Sequence, residues 1–169
     1  MATQQIVPIF SGGGTRLLAH IGILKALQEL AVSFNSLVGI SGGSIVASLH
    51  SYGMSNKALY DLAVNTDFRQ FRDFSILRLL RHGGLSSGIK FEQWMDQQLD
   101  GMTFSEAPIP LHILATDVNG GGPVIFSKDT TPNMKVSHAV RCSMSILHIP
   151  ANPDTGTGLI RTPVFLAFL

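Results

Sequence analysis

The chain has 169 residues, with 12 Lys and Arg against 11 Asp and Glu, and a formal net charge of +1. Charged residues make up 14% of the chain, against about 25% in an ordinary soluble domain, while apolar residues reach 45%. Such a chain buries enough apolar surface to offset its ordering entropy, which excludes intrinsic disorder, and its charge balance excludes a basic footprint for nucleic acid.

Ile6-Val-Pro-Ile-Phe10 reads as one short buried strand that stops at Ser11-Gly-Gly-Gly14. Pro8 is awkward there, because proline donates nothing to a ladder. Leu17, Ile21, Leu24, Leu27 and Leu30 recur every three or four residues and predict an amphipathic helix. Leu37-Val-Gly-Ile40 predicts a second buried strand, Ser41-Gly-Gly43 a tight turn, and Ser44 to Tyr52 a second helix. Strand, glycine loop, helix, strand, turn, helix is the alternation of an α/β fold with a parallel sheet. Residues 56–82 read as helical and carry a basic cluster of Arg69, Arg72, Arg78, Arg81 and His82, partly offset by Asp61, Asp67 and Asp73. Phe91, Met95 and Leu99, spaced by four, predict a helix over 89–99 with that stripe in the core. Leu111 to Thr116 and Val124 to Ser127 predict two more strands, joined by a turn from Asp117 to Gly122, and 134–145 predicts a helix. The apolar end, Val164 to Leu169, has nothing after it to bury it. The expectation is a single domain over 1–169 whose natural form is longer or whose end is altered.

Gly39-Ile-Ser-Gly-Gly43 matches G-x-S-x-G between a buried strand and a helix. A sharp strand-to-helix turn pushes its serine out of the sheet, and small neighbours permit the strained backbone. This makes Ser41 a candidate nucleophile, beside a helix N-terminus whose free N–H groups can stabilise an oxyanion. Gly12, Gly13 and Gly14 form a second candidate element, since backbone N–H groups without side chains can approach a developing negative charge. A dinucleotide fingerprint would need glycine where Leu17 stands, and a P-loop would need Gly-Lys-Ser/Thr. Arg16 either binds a substrate phosphate or braces the loop. His20 reads as a packed, hydrogen-bonded histidine, and Asp117 as a turn residue with Asn119.

Together, Ser11-Gly-Gly-Gly-Thr-Arg16 with His20, Gly22, Leu24 and Leu27, then Gly39-Ile-Ser-Gly-Gly-Ser44, resemble the patatin-like phospholipase family. Ala115-Thr-Asp-Val118 with Val124-Ile-Phe-Ser127, and Ala139-Val-Arg-Cys-Ser-Met-Ser145, look like further family segments, so the resemblance covers about residues 5–146. It implies a three-layer α/β/α domain with a mainly parallel central sheet. It also implies a Ser–Asp dyad, hydrolysis of lipid acyl esters and a glycine-rich oxyanion hole, with no metal or organic cofactor. The family has glycine after the arginine, where this chain has Leu17. The family's dyad aspartate lies in Asp-Gly-Gly or Asp-Gly-Ala, and neither tripeptide occurs here; Asp154 is the one acid after residue 146. Asp154 is therefore the candidate partner of Ser41, with an Asx-turn residue as the plainer reading.

The partner implied is a lipid or phospholipid substrate met at a membrane surface; the basic cluster over 69–82 reads first as a solvated helix face, with attraction to anionic head groups as its functional alternative, and the Phe91 stripe reads first as core, with an acyl-chain channel as its alternative. No apolar run approaches the ~18 residues of a membrane span, and no Lys or Arg precedes Arg16 as a signal peptide would require, so a cytoplasmic or peripheral-membrane location is expected. One cysteine, Cys142, makes neither an internal disulfide nor a zinc site. Two rival readings stand beside the lipid acyl hydrolase. One is a catalytically incomplete relative that binds lipid or protein. The other is a conventional α/β-hydrolase with Ser41, Asp117 and His148 in chain order.

Overall fold

The computed structural model describes residues 5–13, 16–71, 88–117 and 122–145. The first segment departs from the single strand expected over 6–10. It forms β1 (Gln5–Ile6) and β2 (Ile9–Ser11), separated by Val7 and Pro8. Pro8 has no N–H to give, and its carbonyl instead accepts from Val38 N–H at 3.0 Å, where the chain changes partner. β1 pairs in parallel with β3 (Ser33–Phe34), a two-residue strand too short to leave a periodic signal.

The main sheet runs β2, β4 (Leu37–Ile40), β5 (Leu111–Asp117), β6 (Gly122–Ser127). The β2–β4 and β4–β5 pairs are parallel, and β6 returns antiparallel against β5. The register places Phe10, Gly39, Ile113 and Phe126 in one row across all four strands. Phe10, Leu37, Leu111 and Ile113 on that face are buried, whereas Ile9 and Ile125 on the other are exposed.

Helix α1 (Leu17–Glu29) buries Leu17, Ile21 and Leu24, but the predicted stripe fades along it: Leu27 is half-buried, and Leu30, past the last turn, is exposed. Helix α2 (Gly42–Ser51) carries no Lys, Arg, Asp or Glu, and all of its residues but His50 are buried. It packs on β2, β4 and β5 and is flanked by α1, by α3 (Asn56–Asn65) and by α5 (Val136–Met144), which explains a helix without a charged residue on any side. Ser55 caps α3, its hydroxyl accepting from Ala58 N–H, a contact worth about 1 kcal/mol.

The helix expected over 56–82 ends at Asn65. Thr66 hydrogen-bonds back to the Leu62 carbonyl, and the Asp67 carboxylate takes the Arg69 N–H, opening a short 3-10 turn at Phe68–Phe71. Both residue types compete for local backbone groups and so favour helix ends. Arg72, Arg78, Arg81 and His82 lie outside the described residues, and Arg69 is paired with Asp67 at 2.9 Å. Phe68, Phe71, Phe91 and Trp94 form an aromatic cluster that seats the turn on α4 (Ile89–Gln98). Phe91, Met95 and Leu99 are buried, as their spacing predicts. α4 is tied to α5 by Glu92 with His138 and Arg141, and by Asp96 with Lys135 and Ser137, all between 2.8 and 3.0 Å. No helix among the described residues is long and apolar enough to cross a membrane.

Candidate active site

Two glycine-bearing turns leave adjacent parallel strands in the same direction, one after β2 and one after β4. They therefore share the carboxyl edge of the sheet, where open α/β folds place their sites. The second turn carries Ser41, the N-cap of α2, at φ 53° and ψ −130°. A non-glycine residue at positive φ costs on the order of 1–3 kcal/mol and persists only when its surroundings over-determine it. Here the surroundings are explicit. A Cβ on Gly39 would fall 2.5 Å from Ser44 Cα, and one on Gly43 would fall 2.2 Å from the Phe10 carbonyl oxygen. The turn thus closes only because both flanking positions lack a side chain.

Two serine hydroxyls hold its peptide groups. Ser44 N–H and Ser44 Oγ both donate to the Ser41 carbonyl, at 2.9 and 2.5 Å. Ser41 N–H donates to Ser143 Oγ at 2.8 Å, and Ser143 Oγ donates to the Leu114 carbonyl at 2.6 Å. The Ser41 residue is part-exposed, and among the described residues no side chain hydrogen-bonds its hydroxyl. The N–H groups of Gly42 and Gly43, the first of α2, likewise have no hydrogen-bond partner among the described residues. They point the positive end of the helix at this edge.

In the first turn Gly12 and Gly13 take φ 69° and 85°, a region open to glycine at no steric cost. Gly12 N–H donates to the Ile40 carbonyl at 3.2 Å and so stitches the loop to the end of β4, next to Ser41. That bond occupies the Gly12 N–H within the sheet edge. Gly13 N–H has no partner among the described residues, while the Gly13 carbonyl accepts Arg16 N–H at 2.8 Å. His20 approaches from α1 with Nε2 3.3 Å from the Gly12 carbonyl, stacks edge-on to Phe10 at 5.5 Å, and leaves Nδ1 buried without a partner among the described residues. A carbonyl only accepts, so Nε2 is the donor in this contact. His20 is thus packed and hydrogen-bonded as expected. Arg16 is exposed beside the loop.

Gly14, His148 and Asp154 lie outside the described residues. Asp117 is the last residue of β5, opposite Gly122. Cys142 is a free thiol, pushed up by burial. Among the described residues no group of three His, Cys, Asp or Glu is arranged to hold a metal ion. Sequence reasoning missed the roles of Ser44 and Ser143. Ser44 stands three positions from Ser41, a spacing at which a serine can reach back to a turn carbonyl. Nothing in the sequence links Ser143 to Ser41.

The sequence model of the family described as patatin-like phospholipase matches residues 9–148. The chain belongs to that family. It is 28% identical over 176 residues to YqhO of Bacillus subtilis (strain 168), covering 90% of this chain and 60% of YqhO. It is 26% identical over 140 residues to neuropathy target esterase sws of Drosophila grimshawi, covering 82% of this chain and 9% of that protein. The patatin-like fold also matches a chain of the solved complex of ExoU with SpcU from Pseudomonas aeruginosa, at TM-score 0.61 and 21% identity, covering 82% of this chain and 38% of that one. The chain therefore spans less than two thirds of each of these relatives.

Proposed function

We propose that this patatin-like chain is a lipid acyl hydrolase, of phospholipase A or lysophospholipase type, that works through an acyl-enzyme on Ser41. The observation that carries the reading is the backbone of Ser41, a strained serine held at a strand-to-helix turn beside a glycine loop on the adjacent parallel strand. Strain of this kind collects at functional sites. Ser41 Oγ attacks the ester carbonyl, the C–O bond to the leaving alcohol breaks, and water then releases the fatty acid. Negative charge on the carbonyl oxygen is met by Gly13 N–H, with Gly14 beside it in sequence, and by the N-terminus of α2. Exposed Arg16 faces an anionic head group. The base is a carboxylate, for which Asp154 is the candidate by chain order.

A second reading is a relative that binds lipid or protein without turnover, since the 169 residues hold neither Asp-Gly-Gly nor Asp-Gly-Ala to supply the base. A general base contributes typically ~10²–10⁴-fold, so its loss is measurable. A fluorophosphonate probe should label Ser41, with labelling lost in Ser41→Ala, and phospholipid or p-nitrophenyl ester turnover should lie in the ordinary range of about 1–10³ s⁻¹. Labelling that survives Ser41→Ala ends the proposal. Labelling of Ser41 with negligible turnover selects the second reading.

A further inference from the structure

We infer that Ser143 is a positioning residue for Ser41: its hydroxyl fixes the Ser41 N–H, and with it the direction in which the Ser41 side chain leaves the turn. This rests on the reading of Ser41 as the nucleophile. Ser143 lies 102 positions away, near the end of α5, and reaches Ser41 N–H at 2.8 Å. A serine hydroxyl has one proton, and Ser143 gives it to the Leu114 carbonyl at 2.6 Å. Its lone pairs are thereby turned toward the Ser41 N–H. Leu114 pairs in register with Ile40, the residue before Ser41. The hydroxyl therefore ties the turn to the neighbouring strand and to a helix from a distant part of the chain.

The two serine contacts do different work. Ser44 grips the Ser41 carbonyl from within the turn itself, so it moves with the turn and cannot set the turn's attitude to the sheet. Ser143 is anchored outside the turn and can. Without it, a residue at φ 53° loses its anchor outside the turn against relaxing toward negative φ, a change that swings its Cα–Cβ bond. The same bond keeps the Ser41 N–H off the substrate, so the oxyanion must be met by the groups of the glycine loop and of Gly42. A misplacement of about 1 Å in a reacting group costs on the order of 100-fold in rate.

The test compares the wild-type chain with Ser143→Ala, Ser143→Thr and Ser143→Cys. The readouts are the maximal first-order rate of Ser41 modification by a saturating fluorophosphonate, the half-saturating probe concentration, the melting temperature, and amide hydrogen exchange of Ser41 by NMR. Ser143→Ala should lower the maximal rate by roughly 10- to 100-fold, leave the half-saturating concentration unchanged, and speed exchange of the Ser41 amide. Ser143→Thr, which keeps the hydroxyl, should restore most of the rate. A purely structural role would lower the melting temperature and leave the rate per folded molecule at the wild-type value, and that result overturns the inference. If Ser143→Ala does not fold, Ser143→Cys carries the same comparison, because a thiol of similar shape is a weaker donor and acceptor. Wild-type Ser41 that takes no label while its amide is protected from exchange overturns the nucleophile reading and the positioning role with it. A labelled wild type with an equally fast Ser143→Ala overturns the positioning role alone.

Discussion

The two turns of the candidate site are both rich in glycine, and they need it for opposite reasons. At 12–13 the need is dihedral. Both residues have positive φ, yet a Cβ on Gly12 would meet nothing within 4 Å, and one on Gly13 would meet only the His20 ring nitrogen at 3.3 Å and Arg16 beyond it. At 39 and 43 the need is spatial. Neither glycine is left-handed, but added Cβ atoms would fall 2.5 Å from Ser44 Cα and 2.2 Å from the Phe10 carbonyl oxygen. The residue that does take positive φ in that second turn is Ser41 itself. One turn spends glycine on its own conformation, and the other spends glycine on its neighbours so that a serine can take the strained place.

The contrast is broken most directly at Gly43. Gly43→Ala must displace the β2 backbone, and with no flexible side chain to yield, the cost should reach about 3 kcal/mol, the upper part of the overpacking range. Scanning calorimetry should show a fall in melting temperature of roughly 6–12 °C for a domain of this size. An unchanged melting temperature would mean that the strands have room the distances deny. Gly39→Ala, set against Ser44 and Ala47 of α2, should follow with a similar or slightly smaller loss.

Ser41→Gly should do the reverse. Release of the positive-φ strain, of order 1–3 kcal/mol, exceeds glycine's added chain entropy of about 0.5–1 kcal/mol, so the variant should gain about 1 kcal/mol while losing all probe labelling. Ser41→Ala keeps the strain and should gain nothing. Denaturant midpoints for the pair separate the two. Stabilisation by alanine as large as by glycine would refute the strain.

Gly12→Ala should cost about 1 kcal/mol, because the left-handed penalty of ~1–2 kcal/mol is partly offset by a stiffer unfolded chain. Gly12→Asn should cost less than half of that, since asparagine tolerates the conformation and the space is open. Equal losses for the two would place the problem in packing and erase the distinction between the turns.

The smallest effect lies away from both turns and serves as their control. The Lys135 ammonium, hydrogen-bonded to Asp96, holds that carboxyl below its usual range, with Ser137 adding to the shift. A folded pKa below the unfolded one contributes stability above the unfolded value, lost as pH falls through the folded pKa. The pair is part-exposed, so the contribution should stay under about 1 kcal/mol. Melting temperatures at about pH 5 and about pH 3 should differ less in Asp96→Asn than in the wild type, with Ser41 labelling at neutral pH unaffected in that variant.

Periodicity made much of the fold legible. The apolar spacing of α1, the run of β4 into its turn and α2, and the Phe91-Met95-Leu99 stripe of α4 are local patterns, and local patterns survive in sequence. The split at Pro8 was foreshadowed by the residue but not by the pattern, since a two-residue strand such as β3 is defined by its partner alone. In the candidate site, the strained turn at Ser41 and the glycine loop before α1 were legible because a turn's chemistry sits in consecutive residues. The bond from Gly12 N–H was not legible, because its acceptor, the Ile40 carbonyl, belongs to another strand. Ser143 was invisible for the same reason on a larger scale: a side-chain-to-backbone bond across 102 positions leaves no spacing to read.

The register of β4 on β5 also governs synthesis. Leu37 pairs with Leu111, so roughly 70 residues must leave the ribosome between the two strands. At about 5–20 residues per second, this takes roughly 4–14 s. Through that interval β4 can have β2 along one edge, while the other edge, Leu37 to Ile40, presents a row of free N–H and C=O groups flanked by apolar side chains. Such an edge is a template for a foreign strand. The hairpin of β5 and β6, whose two strands are close in sequence, closes within microseconds once made and arrives as a finished unit to cover it. The strand that leads into the Ser41 turn thus waits for its second neighbour until about 70 further residues have been made.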